Sequence, residues 1–266
     1  MKNLSQYFEL AAGSEPFSID PTWAQGRSVF GGLSAALLLV HIEQQTGLTD
    51  KELRTLNVHF SGAITADEPC QLSYETISEG RSVIQVQARL LQGNQCKTLV
   101  MACFAKNRDS DIRHQAEILT PSKSREQAQK MPFIKGVVPD FIQHLDLRFT
   151  SKALPFSGAD QGIITGYMNF NDPHSEFNDA SVVALIDAWP PAVFPMLKGP
   201  APGSSVTWNI EFIQPRTELA QDDSLYYECE VKQADLGYAH TEAKIFHPNG
   251  ELIAFSRQLV AVYDKR

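Results

Sequence analysis

This 266-residue chain has no apolar run long enough to cross a bilayer. The longest, Leu33 to Val40, is interrupted by Ser34 and falls far short of the ~20 residues a spanning helix needs. The opening Met-Lys-Asn-Leu-Ser-Gln-Tyr-Phe-Glu also lacks the apolar stretch of a secretory signal, so a cytoplasmic protein without membrane association is expected. Basic excess is missing as well: 23 Lys and Arg stand against 31 Asp and Glu, for a formal charge of -8, which argues against a nucleic-acid partner. Cysteine is scarce. Cys70, Cys96, Cys103 and Cys229 form no C-x-x-C pair and have no zinc-type His spacing, so the expectation is four ordinary buried thiols, no disulfide framework, no metal and no cofactor.

What the chain does contain is a repeated order of elements. A helical pattern from Leu33 to Gln45, preceded by Gly31-Gly32 and closed by Gly47, leads into four strand-like segments: Arg54 to Phe60, Cys70 to Ser78, Ser82 to Leu91 and Lys97 to Ala105. After a polar middle the order returns. Asn178 and Asp179 are suitable N-caps for a helix from Ala180 to Trp189, which Pro190-Pro191 breaks. Strands follow at Ser205 to Ile213, Leu225 to Gln233, Tyr238 to His247 and Glu251 to Tyr263. Asn57-Val58-His59-Phe60 is echoed by Asn209-Ile210-Glu211-Phe212, and Leu72-Ser73-Tyr74-Glu75 by Leu225-Tyr226-Tyr227-Glu228. The charged segment Asn107 to Lys130 reads as a surface linker with at most one short helix. The expected organisation is an N-terminal repeat over 1–106, a linker over 107–140 and a C-terminal repeat over 141–266. Each repeat is an α+β unit in which an antiparallel sheet wraps one long apolar helix.

Within the second helix, Ala180 to Trp189 carries a single ionisable residue apart from its capping end, Asp187. Ionised Asp is rarely buried without partners, because uncompensated burial costs several kcal/mol, so Asp187 is the first candidate for chemistry. In a helical register it shares a stripe with Ala180, Val183 and Ala184 and points inward. Gln258 lies on a mainly apolar strand face with Leu252, Ala254, Ser256, Val260 and Val262. Alternation puts Ser205 and Thr207 on one face and Val206, Trp208 and Ile210 on the other. A carboxylate, an amide and a hydroxyl together can orient a water for proton abstraction. The structural alternative is that Asp187 caps backbone groups freed by the prolines, or pairs with an Arg. Backbone N–H groups at Gly31-Gly32 or Asn178-Asp179 are candidate oxyanion donors, although the two glycines equally suit close backbone packing. His41, His59, Trp189 and Trp208 read as structural. The first helix has no carboxylate from Leu33 to Ile42, which predicts one working site per chain.

Gly26-Arg27-Ser28-Val29-Phe30-Gly31-Gly32 resembles the G-x-x-x-F-G-G approach to the first helix in the type II acyl-coenzyme A thioesterases. The likeness extends through Ser78-Glu79-Gly80-Arg81-Ser82, Leu185-Ile186-Asp187, Phe212-Ile213-Gln214-Pro215 and Ala254-Phe255-Ser256-Arg257-Gln258. The resemblance implies a double hotdog fold and hydrolysis of fatty acyl-coenzyme A. It places the chain's acid at Asp187, its amide at Gln258 and its hydroxyl at Ser205, with Thr207 two residues on. It also implies an acyl-coenzyme A substrate and a homodimer or higher assembly. Two rival expectations remain: a non-catalytic acyl-ligand binding protein on the same fold, and a hydratase or dehydratase, which usually needs a His paired with the acid.

Overall fold

The computed structural model describes residues 2–172 and 177–265. Three helices, α1 (Leu4–Ala12), α2 (Gly31–Thr46) and α3 (Asp179–Ile186), lie against ten long strands. Four belong to the first repeat: β1 (Glu52–Phe60), β2 (Pro69–Glu79), β3 (Val83–Gln92) and β4 (Gln95–Ala105). Then come β5 (Leu145–Phe149) and β6 (Ile163–Phe170), followed by β7 (Gly203–Phe212), β8 (Leu225–Asp235), β9 (Tyr238–Phe246) and β10 (Leu252–Val262). No described helix is long and apolar enough to cross a membrane.

All ten strands join one antiparallel sheet in the order β2-β3-β4-β1-β7-β10-β9-β8-β6-β5, with the two-residue strands Phe17–Ser18 and Gln129–Lys130 at its ends. The two repeats are thus halves of one continuous sheet. They meet where β1 pairs with β7, and there Asn57 lies opposite Asn209, its own counterpart in the second repeat. The Asn209 side-chain amide donates to Asn57 Oδ1 at 2.9 Å. The sequence echo therefore marks the pseudo-twofold axis.

Strand patterning fixes which face turns inward. In β3 the side chains of Ile84, Val86, Ala88 and Leu90 are buried while Gln85, Arg89 and their neighbours on the other face keep exposure, the alternation of a sheet covered on one side. The covering layer is the helices. From Gly32 to Ile42 every residue of α2 is buried, and from Ala180 to Ile186 every residue of α3, so both are apolar on all sides because both are enclosed. Each fully buried Leu or Ile contributes about 1.5–3 kcal/mol. Gly47 closes α2 in the left-handed conformation, φ 60°.

Some expected bounds move. Helix α3 stops at Ile186, so Asp187 is its C-cap and not an interior residue; residues preceding a proline disfavour helical backbone, and the chain has left the helix before Pro190. Two strands, β5 and β6, and the helix α1 have no counterpart among the expected elements. The described linker residues 107–128 form neither helix nor strand. Cys96 and Cys103 are only half-buried, whereas Cys70 and Cys229 are buried, and all four thiols are free.

Candidate active site

Asp187 arrives at its position because α3 ends there and α2 begins there. Helix α2 starts at Gly31 with Phe30 as N-cap, a residue with no side-chain acceptor to offer. The first-turn N–H groups of a helix lack intrahelical acceptors. The carboxylate from the other repeat fills that role, accepting from the Gly32 backbone N–H. Close approach depends on the two glycines. A Cβ on Gly32 would stand 2.8 Å from the Ala184 carbonyl oxygen and 2.9 Å from Asp187 Cβ, and one on Gly31 would stand 2.9 Å from Asp187 Oδ2. Packing and electrostatics thus share one cause here: without side chains, the helix start can lie directly on the acid.

Gln258 Nε2 donates to Asp187 Oδ1 at 2.7 Å, and Gln258 Oε1 accepts from Ser205 Oγ at 3.4 Å. The amide therefore links hydroxyl to carboxylate with its orientation fixed. Burial pushes the Asp187 carboxyl up to about 7, while the bonds from Gln258 and Gly32, which favour the anion, pull the other way. Such a group is half-protonated near neutral pH, suited to act as a base there.

These residues line a cavity of about 280 Å³. Gly31, Asp187, Ser205 and Gln258 all face it, together with Ser34, Thr98, Gln25, Ser28 and the turn Phe60 to Ile64. Ser34 and Thr98 were not singled out by sequence, yet their hydroxyls lie 3.1 Å apart at the cavity, Ser34 also donating to the Gly31 carbonyl at 2.8 Å. The one available signal was Ser34 itself, a hydroxyl inside an otherwise apolar helical run. Gly32 is not on the wall; it packs on α3 behind it.

Thr207 lies elsewhere. The ladder between β7 and β10 shifts register between Ser205 and Thr207, an irregularity that leaves Val206 unpaired. Ser205 thereby turns inward on the same side as Trp208, and Thr207 turns to the outer face, where it lies opposite His59 and lines a different groove. The expectation that Ser205 and Thr207 share a face is corrected by that bulge. His41 is buried with Nδ1 2.9 Å from the Ala11 carbonyl oxygen, a core contact, and His59 is exposed. Trp189 is buried and also lines the cavity, so it is more than core.

The dyad-related position shows why the two halves differ. A register shift recurs between Leu53 and Thr55, but Leu53 stands where Ser205 stands, Ala102 where Gln258 stands, and Asp179 where Gly31 stands. The acid there is Glu43, just beyond the carboxylate-free stretch of α2. Burial pushes it up to about 8, with Asp179 adding to the rise and Arg216 opposing it. It has no amide or hydroxyl in the matching places. Among the described residues, no group of three or more His, Cys, Asp or Glu is placed to hold a metal.

Comparison with known proteins matches residues 19–105 to the model of the acyl-CoA thioesterase N-terminal domain and residues 124–262 to that of the acyl-CoA thioesterase C-terminal domain. No curated protein matches the sequence. Among solved structures, a conserved protein of unknown function with hot dog fold from Alicyclobacillus acidocaldarius superposes with TM-score 0.82 at 19% identity, over 97% of this chain and 98% of that one. A putative thioesterase II from Thermobifida fusca YX gives 0.77 at 17% identity, covering 96% and 97%. The acyl-CoA thioesterase II TesB2 from Mycobacterium marinum gives 0.74 at 18%, also covering 96% and 97%. At these identities the likeness shows the fold, a double hotdog.

Proposed function

The chain belongs to the acyl-CoA thioesterase family, and from that premise we propose that it hydrolyses fatty acyl-coenzyme A to the free acid and coenzyme A, with Asp187 as the general base for water. The observation that carries this reading is the Asp187 carboxylate, raised to about 7 and tied to Gln258 at 2.7 Å on the wall of a cavity. A water beside Asp187 and the Ser205 hydroxyl gives its proton to the carboxylate as its oxygen attacks the thioester carbonyl. The tetrahedral intermediate collapses by breaking the carbon–sulfur bond, and the thiolate leaves with little proton assistance. Gln258 holds the carboxylate in place throughout, and Ser205 holds the water. Gly31, at the wall and at a helix N-terminus, offers its backbone N–H to the developing oxyanion. The same reading includes a cytoplasmic location, a homodimer or higher assembly, and a division into repeats over 1–106 and 141–266.

A hydratase or dehydratase is disfavoured because no described histidine lines the cavity. The deciding experiment offers acyl-coenzyme A substrates of graded chain length and follows free thiol with a thiol-reactive dye. Thiol release that drops ~100-fold or more in Asp187→Asn, the range typical of losing a general base, supports the proposal. Tight binding without release at any length leaves the non-catalytic acyl-binding reading in its place.

A further inference from the structure

The hydroxyls of Ser34 and Thr98 take no part in the proton transfer, yet both residues are enclosed, at 0% and 1% exposure, on the wall of the Asp187 cavity. Their hydrogen bonds run in one direction. The Gly31 carbonyl can only accept, so the single Ser34 hydroxyl proton goes to it at 2.8 Å, and Ser34 Oγ takes the Thr98 proton at 3.1 Å. That carbonyl belongs to the same planar peptide as the Gly32 N–H, which donates to the Asp187 carboxylate. Thr98, Ser34, the Gly31–Gly32 peptide and Asp187 therefore form one chain in which every donor points toward the acid, and the members of such a chain polarise one another.

Two observations tie the pair to the acid rather than to the fold. Gly31 and Gly32 lack side chains, which lets the helix start lie on Asp187 and leaves their peptide the freest part of the first turn of α2. Phe30 supplies no side-chain cap to restrain it. A helical Ser commonly bonds back to its own backbone, but that habit requires no second buried hydroxyl from β4. The other repeat shows that the scaffold requires neither. Gly31 corresponds to Asp179, and the pair Phe60–Thr98 to Phe212–Ala254. Val182 thus stands where Ser34 stands, Ala254 where Thr98 stands and Leu39 where Asp187 stands, all three fully buried. In that half the acid and both hydroxyls are replaced together by apolar residues.

We propose that Ser34 and Thr98 are positioning residues for Asp187: their hydroxyl chain holds the Gly31–Gly32 peptide with its N–H on the carboxylate, and so sets the strength of that base. The assignment deepens the thioesterase reading and rests on it for its kinetic consequence. Removing either hydroxyl weakens a bond that favours the anion, so the acid keeps its proton to higher pH. Few other groups act on this carboxylate. Asp187 is the only ionisable residue among the described residues lining the cavity. Gln258 from β10 and the Gly32 N–H from α2 favour its charge, and β7 presents the neutral Ser205. Tyr227 on β8 is a phenol whose burial, with the Asp187 charge among the lesser causes, holds its proton well beyond the ordinary range.

The test follows kcat/KM against pH for whichever member of a graded acyl-coenzyme A series the wild type turns over fastest. The variants are Ser34→Ala, Thr98→Val, which keeps the shape without the hydroxyl, Thr98→Ser, which keeps the hydroxyl, and the double variant Ser34→Ala with Thr98→Val. Carbon NMR of protein isotopically labelled at the aspartate carboxyls reads the same midpoint without turnover, with Asp187→Asn identifying the signal. Thermal melts establish which variants fold, and if Ser34→Ala does not, Thr98→Val against Thr98→Ser decides. The expected result is a midpoint raised by about 0.5–1 pH unit in Ser34→Ala and in Thr98→Val, with Thr98→Ser like the wild type. The double variant should be raised no further than Ser34→Ala, because Thr98 reaches the acid only through Ser34. The proposal is overturned if either folded single variant lacking a hydroxyl keeps the NMR midpoint within about 0.2 pH unit of the wild type, if Thr98→Ser moves it as far as Thr98→Val, or if the two shifts add. Should the wild type release thiol from no substrate, the thioesterase reading fails by itself and NMR alone decides. The same pattern of midpoints then supports the positioning role, and an unchanged midpoint overturns it.

Discussion

Replacing Asp187 by Asn should make the protein less active and should improve its stability relative to the wild type as the pH rises through neutrality. The folded protein holds the Asp187 proton with a pKa of about 7, against a starting value of 3.8. The native state thus binds this proton more tightly than the unfolded chain, and raising the pH from about 4 to about 7 favours unfolding. Keeping the carboxylate ionised in the fold costs on the order of 4 kcal/mol at about 1.4 kcal/mol per unit. Between pH 5 and pH 8.5 the wild type loses about 3 kcal/mol of that through this one group. The Asn variant loses none of it, so its stability relative to wild type should improve by about 3 kcal/mol across the interval, or on the order of 5–10 °C in melting temperature for a chain of this size. Any fixed penalty, such as turning the Asn amide toward the Gly32 N–H, cancels because it is the same at both pH values. Urea unfolding of both proteins at pH 5 and pH 8.5 measures the difference directly. A variant equally destabilised at both pH values would show that the carboxylate is a structural cap rather than a strained base.

Ser205→Ala should reduce thioester turnover by at least ~10-fold, whereas Thr207→Ala, on the opposite face of the bulge, should leave it within about twofold; equal effects would refute the assigned register. The pH profile of kcat/KM should rise through about 7 and then level as the Asp187 carboxyl ionises, and a profile already flat from pH 5 would show that its pKa is not raised. Gly32→Ala should destabilise by about 1–3 kcal/mol, read by denaturant midpoint, because its Cβ would meet the Ala184 backbone oxygen at 2.8 Å.

Local rules in the sequence determined a great deal here. Eight strands and two buried helices follow from alternation, from apolar runs and from signals such as Asn178, whose side chain accepts from the Ser181 N–H, and Gly47. Asp187 and Gln258 were visible because a carboxylate in an apolar helix and an amide on an apolar strand face each break a pattern that burial enforces. Strands β5 and β6 were not, since Asp146 and Arg148 interrupt one and Gly166 the other, and their reasons for being there lie in remote partners: Arg125 and Lys130 for Asp146, Trp189 for Gly166. Only the tertiary structure put Ser205 and Thr207 on different faces of the sheet, because a bulge is set by hydrogen bonding to β10, and perfect alternation is all a single strand can reveal. Only the fold, likewise, could lay the start of one repeat's helix on the acid of the other. Sequence records the period of each element, but the contact of Gly31 and Gly32 with Asp187 spans some 155 residues of chain and exists only once the two halves share one sheet.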